Sequence, residues 1–411
     1  MTAVASAGQV GRRLVIHIYG YQPTEPERFR RRFARDIGLF GTTWSVATEL
    51  GPARIGPHQA RWDVRVHGPD WETRTDYRIV RLDDLIAVKH RQPFPARMAR
   101  GYAGLLDFIF DAALVGYVRF RWPYALFTLF PLVATLAMIA LAILAGLGFA
   151  LFAGPLAAFL GGAAVLAAAF ALVGRRYYLF ALLEDWAFAS ILARRLEPEI
   201  EARLDGARGD IEAAMSEGSC DEVLLIGHSL GAVLILHLAE KLIRARDIGQ
   251  GPRVAVLTIG SSLLKIGLHS RAEPIRQATR TLVSTPGVSW ADYQSRLDIM
   301  NFYGSDPSRA MGIEAAHPPI VRTAPFSRML DPEAYRRLKF DFFRTHNQFV
   351  HASTRRSGYD YFLFACGPFF FADVVTTRDG AMSKLDASGA LVAPSGADAT
   401  TAETTGAWET R

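Results

Sequence analysis

Cysteine is nearly missing from this chain, with only Cys220 and Cys366 in 411 residues. Two cysteines cannot build the disulfide framework of a small secreted fold, and neither stands at a metal-ligand spacing, so no metal and no cofactor is expected. A secretory signal is also wanting. In MTAVASAGQVGRRLVIHIYG the basic pair follows a mild Ala-rich stretch instead of preceding a long apolar one. The net charge of +6 raises the question of nucleic acid. The arginines are spread along the chain, however, and no basic helix or interleaved aromatic motif accompanies them, so no nucleic-acid partner is expected. No internal repeat is visible.

The third absence is local. From Trp122 to Gly174 there is no Asp, Glu, Lys, Arg or His. As one helix that stretch would run about 80 Å, against a bilayer core of about 30 Å, so two crossings fit where one does not. Gly146, Gly148, Gly154 and Pro155 mark the reversal, giving spans near Tyr124–Gly146 and Pro155–Val173. Arg119 and Arg121 precede the first span and Arg175 and Arg176 follow the second, which sets both ends toward the cytoplasm. The expected setting is therefore an integral membrane protein with two spans and a cytoplasmic soluble domain. A hairpin embedded in one leaflet is the alternative. Gly161, Gly162 and Ala163 would suit close helix packing, and so a homo-oligomer through the hairpin.

Around this insertion, β-like runs alternate with helical ones. Arg13–Tyr19 reads as a buried strand, Glu25–Ile37 as a helix, and Ala60–Ile86 as paired strands turning at His67–Asp70. Ala99–Phe120 reads as an amphipathic helix on the bilayer surface. Beyond the insertion come a long helix over Tyr178–Leu204, a strand Val223–Ile226, a helix Ala232–Arg246 and a strand Arg253–Ile259. Further strands are expected at Asp298–Tyr303 and Lys339–Arg344. The fold class this implies is α/β, a mostly parallel sheet with helices on both faces. The organisation is then 10–98 and 175–376 as one soluble domain, 99–121 as a juxtamembrane helix, 122–174 as the membrane hairpin, and 377–411 as a disordered Ala/Thr/Ser/Gly tail.

One motif carries chemistry. Asp221–Gly231, DEVLLIGHSLG, ends in Gly-x-Ser-x-Gly, and its flanks supply what a nucleophile elbow needs: a strand before, a helix after, and Gly227 and Gly231 two positions either side of Ser229. On these residues the chain resembles the α/β-hydrolase superfamily of serine esterases and lipases, over Arg13–Ile18 and from Cys220 to about Phe371. The resemblance implies an α/β-hydrolase-like sheet, Ser229 as nucleophile, and an acid and then a histidine downstream. For the acid it favours Asp306, in the loop after the expected strand, over Asp298. For the base it offers His346, and His351 as the alternative. It also implies an oxyanion hole from the N–H of Leu230 and, from the loop His17–Tyr21, that of Tyr21.

A serine hydroxyl is a poor nucleophile until an imidazole takes its proton, and the imidazole needs a carboxylate to hold its tautomer. The expected activity is hydrolysis of apolar, lipid-like carboxylic esters at a bilayer through an acyl-enzyme. An acyltransferase on the same machinery and a non-catalytic membrane scaffold are the alternatives. Tyr361–Phe364 and Phe369–Phe371 are read as an acyl pocket, as residues that dip into the membrane interface, or as core.

Overall fold

The computed structural model describes residues 8–22, 25–246, 248, 251–377 and 379–392. Nine strands form one sheet: β1 (Arg12–Ile18), β2 (Ala47–Leu50), β3 (Arg54–Ile55), β4 (Gln59–His67), β5 (Glu72–Val80), β6 (Glu222–His228), β7 (Arg253–Ile259), β8 (Val288–Gln294) and β9 (Ile320–Thr323). Their order is β2-β4-β5-β1-β6-β7-β8-β9, with β3 on β4. From β5 to β9 every pairing is parallel; β2, β3 and β4 are joined antiparallel at one side.

Successive strand residues point to opposite faces, and both faces are covered, so the central strands read as unbroken apolar runs. Leu14, Ile16 and Ile18 of β1 and Val223 and Leu225 of β6 face one core. That core also takes residues of helices Phe94–Phe110, Leu179–Leu192, Pro198–Ser216, Gly231–Ala245 and Glu273–Ser284. Val15, Leu224 and Ile226 face the other, formed with helix Pro26–Trp44 and the segment Tyr359–Val375. A fully buried charged pair joins β1 to β6 within the sheet. Arg13 Nε donates to Glu222 Oε2 at 2.7 Å, Nη1 donates to Gly367 O, and Glu222 Oε1 accepts from Phe371 N–H at 2.8 Å. Those bonds bind β1 and β6 to the last part of the chain.

Several boundaries differ from expectation. Asp298–Tyr303 is not a strand; the strand there is β8, and residues 295–305 are turns that follow it. Lys339–Arg344 is not a strand either. Asp341 accepts from Arg344 N–H at 3.0 Å and starts a helix over Phe342–Asn347. The long helix over Tyr178–Leu204 is broken into Leu179–Leu192 and Pro198–Ser216, because proline is seated at a helix's first turn but not within it. The amphipathic stretch Ala99–Phe120 divides at Asp111, after helix Phe94–Phe110. Tyr361–Phe364 are buried in the second core, and Phe371 is buried with them, as the core reading of these residues expects. The disordered tail is also corrected in part. Trp71 Nε1 donates to Gly389 O at 2.9 Å and Leu391 N–H donates to Asp70 Oδ1 at 3.0 Å, which fastens residues up to 392 to the β4–β5 turn. Residues 393–411 of that tail lie outside the described residues.

The uncharged stretch belongs to one long helical element, Ala113–Arg176, apolar and long enough to cross a membrane. Its backbone leaves helical geometry at Arg121 and again at Gly154 (φ 81°, ψ 179°), just before Pro155. At Gly154 the chain doubles back: a Cβ on Gly162 would lie 3.0 Å from Ala142 O and 3.6 Å from Gly146 Cα. Gly146, Gly161 and Gly162 thus serve contacts within the chain, against Ala158, Phe149 and Ala142 respectively.

Candidate active site

Ser229 occupies the turn between β6 and helix Gly231–Ala245, with φ 57°. That left-handed conformation costs a non-glycine residue roughly 1–2 kcal/mol, so the surroundings must impose it. Its N–H donates to Ile259 O and its carbonyl accepts from Ser262 N–H, both at 3.2 Å, which pins the turn to the end of β7. The flanking glycines are sterically required. A Cβ on Gly231 would sit 2.1 Å from Ile18 O, and one on Gly227 would sit 2.6 Å from Ala232 Cα. The Ser229 side chain is nearly enclosed, at 8% exposure.

Gly20, just past β1, lies directly against this serine. A Cβ there would be 2.7 Å from Ser229 Cβ, 3.0 Å from Oγ and 3.3 Å from Leu230 N. The next peptide carries the Tyr21 N–H. Neither that N–H nor Leu230 N–H finds an acceptor among the described residues. The two donors expected for an oxyanion therefore stand on the two elements that meet at Ser229, and both are free. Tyr21 also borders a cavity of about 180 Å³, with Phe188 and Ile191 on its apolar side.

His346 comes from helix Phe342–Asn347 and is buried. Its Nδ1 lies 2.9 Å from Asp298 Oδ2. The carboxylate accepts, so Nδ1 holds the proton and Nε2 keeps its lone pair. Nε2 is buried without a hydrogen-bond partner, and Ser229 Oγ makes no hydrogen bond among the described residues. The ring edge is close to the elbow: a Cβ on Gly260, the residue after Ile259, would lie 3.2 Å from His346 Cε1. Gly260 adopts φ +50°, which lets the chain turn under the imidazole and Phe349.

The loop that carries Asp298 is tightly held. Asp298 is fully buried, and its Oδ1 accepts from Met300 N–H at 2.9 Å. Asn301 Nδ2 bridges the carbonyls of Ser295 and Asp298 at 3.0 and 2.8 Å. Because β8 ends at Gln294, Asp298 lies beyond the strand's C-terminal end, the side on which Ser229 also stands. The expected strand was placed one loop too late. Asp306 is used elsewhere: its Oδ1 accepts from Ser308 N–H at 2.8 Å and Arg309 N–H at 3.2 Å, capping the short helix Pro307–Ala310. His351 is likewise turned away, with Nδ1 2.6 Å from Asp36 Oδ2 on helix Pro26–Trp44. Burial raises the Asp36 pKa, but the hydrogen bonds from His351 and Arg35 outweigh it and hold the carboxyl below its usual range.

His228, beside the serine, was not singled out from sequence. Its Nε2 donates to the carbonyl of His346 at 3.0 Å and the two rings are 4.8 Å apart. Burial first, and the neighbouring His346 second, push its pKa well below the ordinary histidine value, so it stays neutral. It holds the His346 helix in place without adding charge. Its position inside the Gly-x-Ser-x-Gly motif was the available signal.

Among the described residues no group of three or more His, Cys, Asp or Glu side chains is arranged to hold a metal ion. Comparison with protein-family models, curated proteins and solved structures finds no match to this chain.

Proposed function

We propose that this protein is a membrane-anchored serine hydrolase that cleaves carboxylic esters with apolar, lipid-like acyl chains, on an α/β-hydrolase-like fold. The observation that carries the reading is a left-handed serine at a strand-to-helix turn, beside a buried histidine whose Nδ1 is held by a carboxylate. In this mechanism Ser229 Oγ attacks the ester carbonyl while His346 Nε2 takes its proton. Asp298 keeps the imidazole in the required tautomer and stabilises its cation. The carbonyl oxygen becomes an oxyanion that the N–H groups of Leu230 and Tyr21 receive; one such donor is worth about 3 kcal/mol. The imidazolium then protonates the leaving alcohol. Water, deprotonated by the same Nε2, releases the acid from the acyl-serine. For attack, Oγ and Nε2 must come into hydrogen-bond contact, a tightening that substrate binding commonly brings.

The lipid setting is supported by surface that water would disfavour. Leu144, Leu147, Leu151, Phe152, Leu156 and Phe159 are all more than half exposed on the doubled-back helix, and only 17% of its most apolar window is buried. A bare apolar patch of this kind calls for lipid or another protein to cover it. Two antiparallel spans satisfy all backbone groups internally. Arg119, Arg121, Arg175 and Arg176, with exposed Trp122 and Tyr177, supply the basic and aromatic residues of a membrane boundary. The base helix reaches that boundary: Phe342 lies 5.7 Å from Phe127, and Phe343 lies 4.4 Å from Tyr178, ring to ring.

The test is hydrolysis of a series of p-nitrophenyl esters by the full chain in detergent. The reading expects turnover that rises with acyl length and disappears in Ser229→Ala. Turnover retained in Ser229→Ala would refute it. Supplying a lipid alcohol and analysing products distinguishes hydrolysis from acyl transfer on the same acyl-serine.

A further inference from the structure

A cavity of about 1130 Å³ lies apart from Ser229, which is not among its lining residues. Five arginines line it (Arg296, Arg322, Arg328, Arg355 and Arg356) against a single carboxylate, Asp379. Two of the five are already engaged. Arg356 donates to the carbonyls of Thr43, Asp386 and Ala387, and Arg322 Nε donates to Val375 O at 3.0 Å. Arg296, Arg328 and Arg355 are exposed, and their guanidinium groups have no hydrogen bond or ion pair among the described residues. Converging unpaired cations in a concave surface raises the local potential and draws an anion. Guanidinium is the side chain best matched to phosphate, because its planar fork donates two parallel bonds to two oxygens.

The cavity also has a defined place. Its wall Ser295–Leu297 runs straight into Asp298, and the same wall touches the foot of the apolar helix: Arg121 Nη2 is 3.5 Å from Arg296 O, and its guanidinium carbon is 5.7 Å from the ring of Tyr303, another lining residue. A ligand bound there sits at the level where lipid phosphates lie if the helix enters a bilayer.

We propose that the arginine-lined cavity binds the phosphate of an anionic lipid headgroup beside the acid loop. The source of the phosphate rests on the membrane reading; the site does not rest on chemistry at Ser229.

The test uses the full chain in nonionic detergent and titration calorimetry with dihexanoyl phosphatidate, dihexanoylglycerol and inorganic phosphate. Phosphatidate is expected to bind and dihexanoylglycerol not to. The double variant Arg328→Gln/Arg355→Gln is expected to lose about tenfold or more in affinity, the scale of losing a charge-assisted hydrogen bond. Arg31→Gln, exposed near the start of helix Pro26–Trp44 and not among the cavity's lining residues, and Ser229→Ala are expected to bind as the wild type does. No phosphatidate binding, or equal binding by the double variant, overturns the site. Inorganic phosphate binding as tightly as phosphatidate overturns the lipid assignment in favour of a soluble phosphate. Binding retained by a protein whose Ser229 proves unreactive would refute the hydrolase and leave this site standing.

Discussion

His346 Nδ1 and Asp298 Oδ2 meet at 2.9 Å although 48 positions separate them in the chain, and both side chains are shut off from solvent. A carboxylate in that place sets which imidazole nitrogen can act as base. Asp298→Asn is therefore expected to lower kcat by roughly 10³–10⁴-fold by presenting the wrong tautomer, with KM little changed. Asp306→Asn, which alters only a four-residue helix cap, should stay within a few-fold of the wild type. Steady-state ester hydrolysis by both variants checks this, and the reverse ranking would return the acid to Asp306.

That reversal shows what the sequence could and could not tell. The elbow was legible because its requirements are local: a strand, two glycines around Ser229, and a helix. His346 was legible as a histidine late in the chain. Asp298 was ranked second because LDIMNFY resembles a strand in its apolar content, whereas the true strand, VSWADYQ, follows the turn pair Pro286-Gly287 and alternates less clearly. One strand of register decided which end of the loop faces Ser229. The apolar insertion was legible from its lack of charge, and the bend inside it from the glycines and proline between Gly146 and Pro155, the backbone leaving helical geometry at Gly154. The Lys339–Arg344 segment misled because its phenylalanines suit a strand, while Asp341 caps a helix there. The disposition of β2 to β5 on one side of β1 depends on long-range pairing that no local pattern encodes.

Gly20 packs directly against Ser229. Adding one methyl in Gly20→Ala places a carbon 2.7 Å from Ser229 Cβ and 3.0 Å from Oγ, so the loop bearing the Tyr21 N–H must shift. The expected outcome is a loss of at least about 100-fold in kcat, the scale of one oxyanion donor, with unaltered circular dichroism. Activity within a few-fold of wild type would remove the Gly20–Tyr21 loop from the mechanism.

Asp292 of β8 gives a pH signature. Burial pushes its carboxyl up to about 6, against hydrogen bonds from Thr258 and Gln294 that favour the ionised form. A folded-state pKa above the unfolded one means the native state holds the proton more tightly. The stabilisation is then complete below about pH 4 and is lost as pH rises through 6. Between pH 4.5 and 7 that is about 2 kcal/mol. Urea unfolding of Asp292→Asn and wild type in the same detergent should show the variant gaining on the wild type by this amount across the interval. A stability difference independent of pH would contradict the assignment.

The doubled-back helix yields a topology prediction. Both native cysteines are buried. Leu151→Cys, near the reversal and 82% exposed, should react with a membrane-impermeant maleimide only from the side of the bilayer opposite the soluble domain. Ser327→Cys should react only from the side of that domain. Labelling of both positions from one side would mean a hairpin that enters a single leaflet and does not cross.

The most direct measurement is covalent labelling of the full-length protein by a fluorophosphonate, which reports a nucleophilic serine without requiring the natural ester. The account predicts one labelled site, Ser229, mapped by peptide mass. Labelling should be absent in Ser229→Ala, strongly slowed in His346→Ala and Asp298→Asn, and unaffected in His351→Ala and Asp306→Asn. Labelling that persists in Ser229→Ala, or a folded wild-type protein that does not label at all, would contradict it.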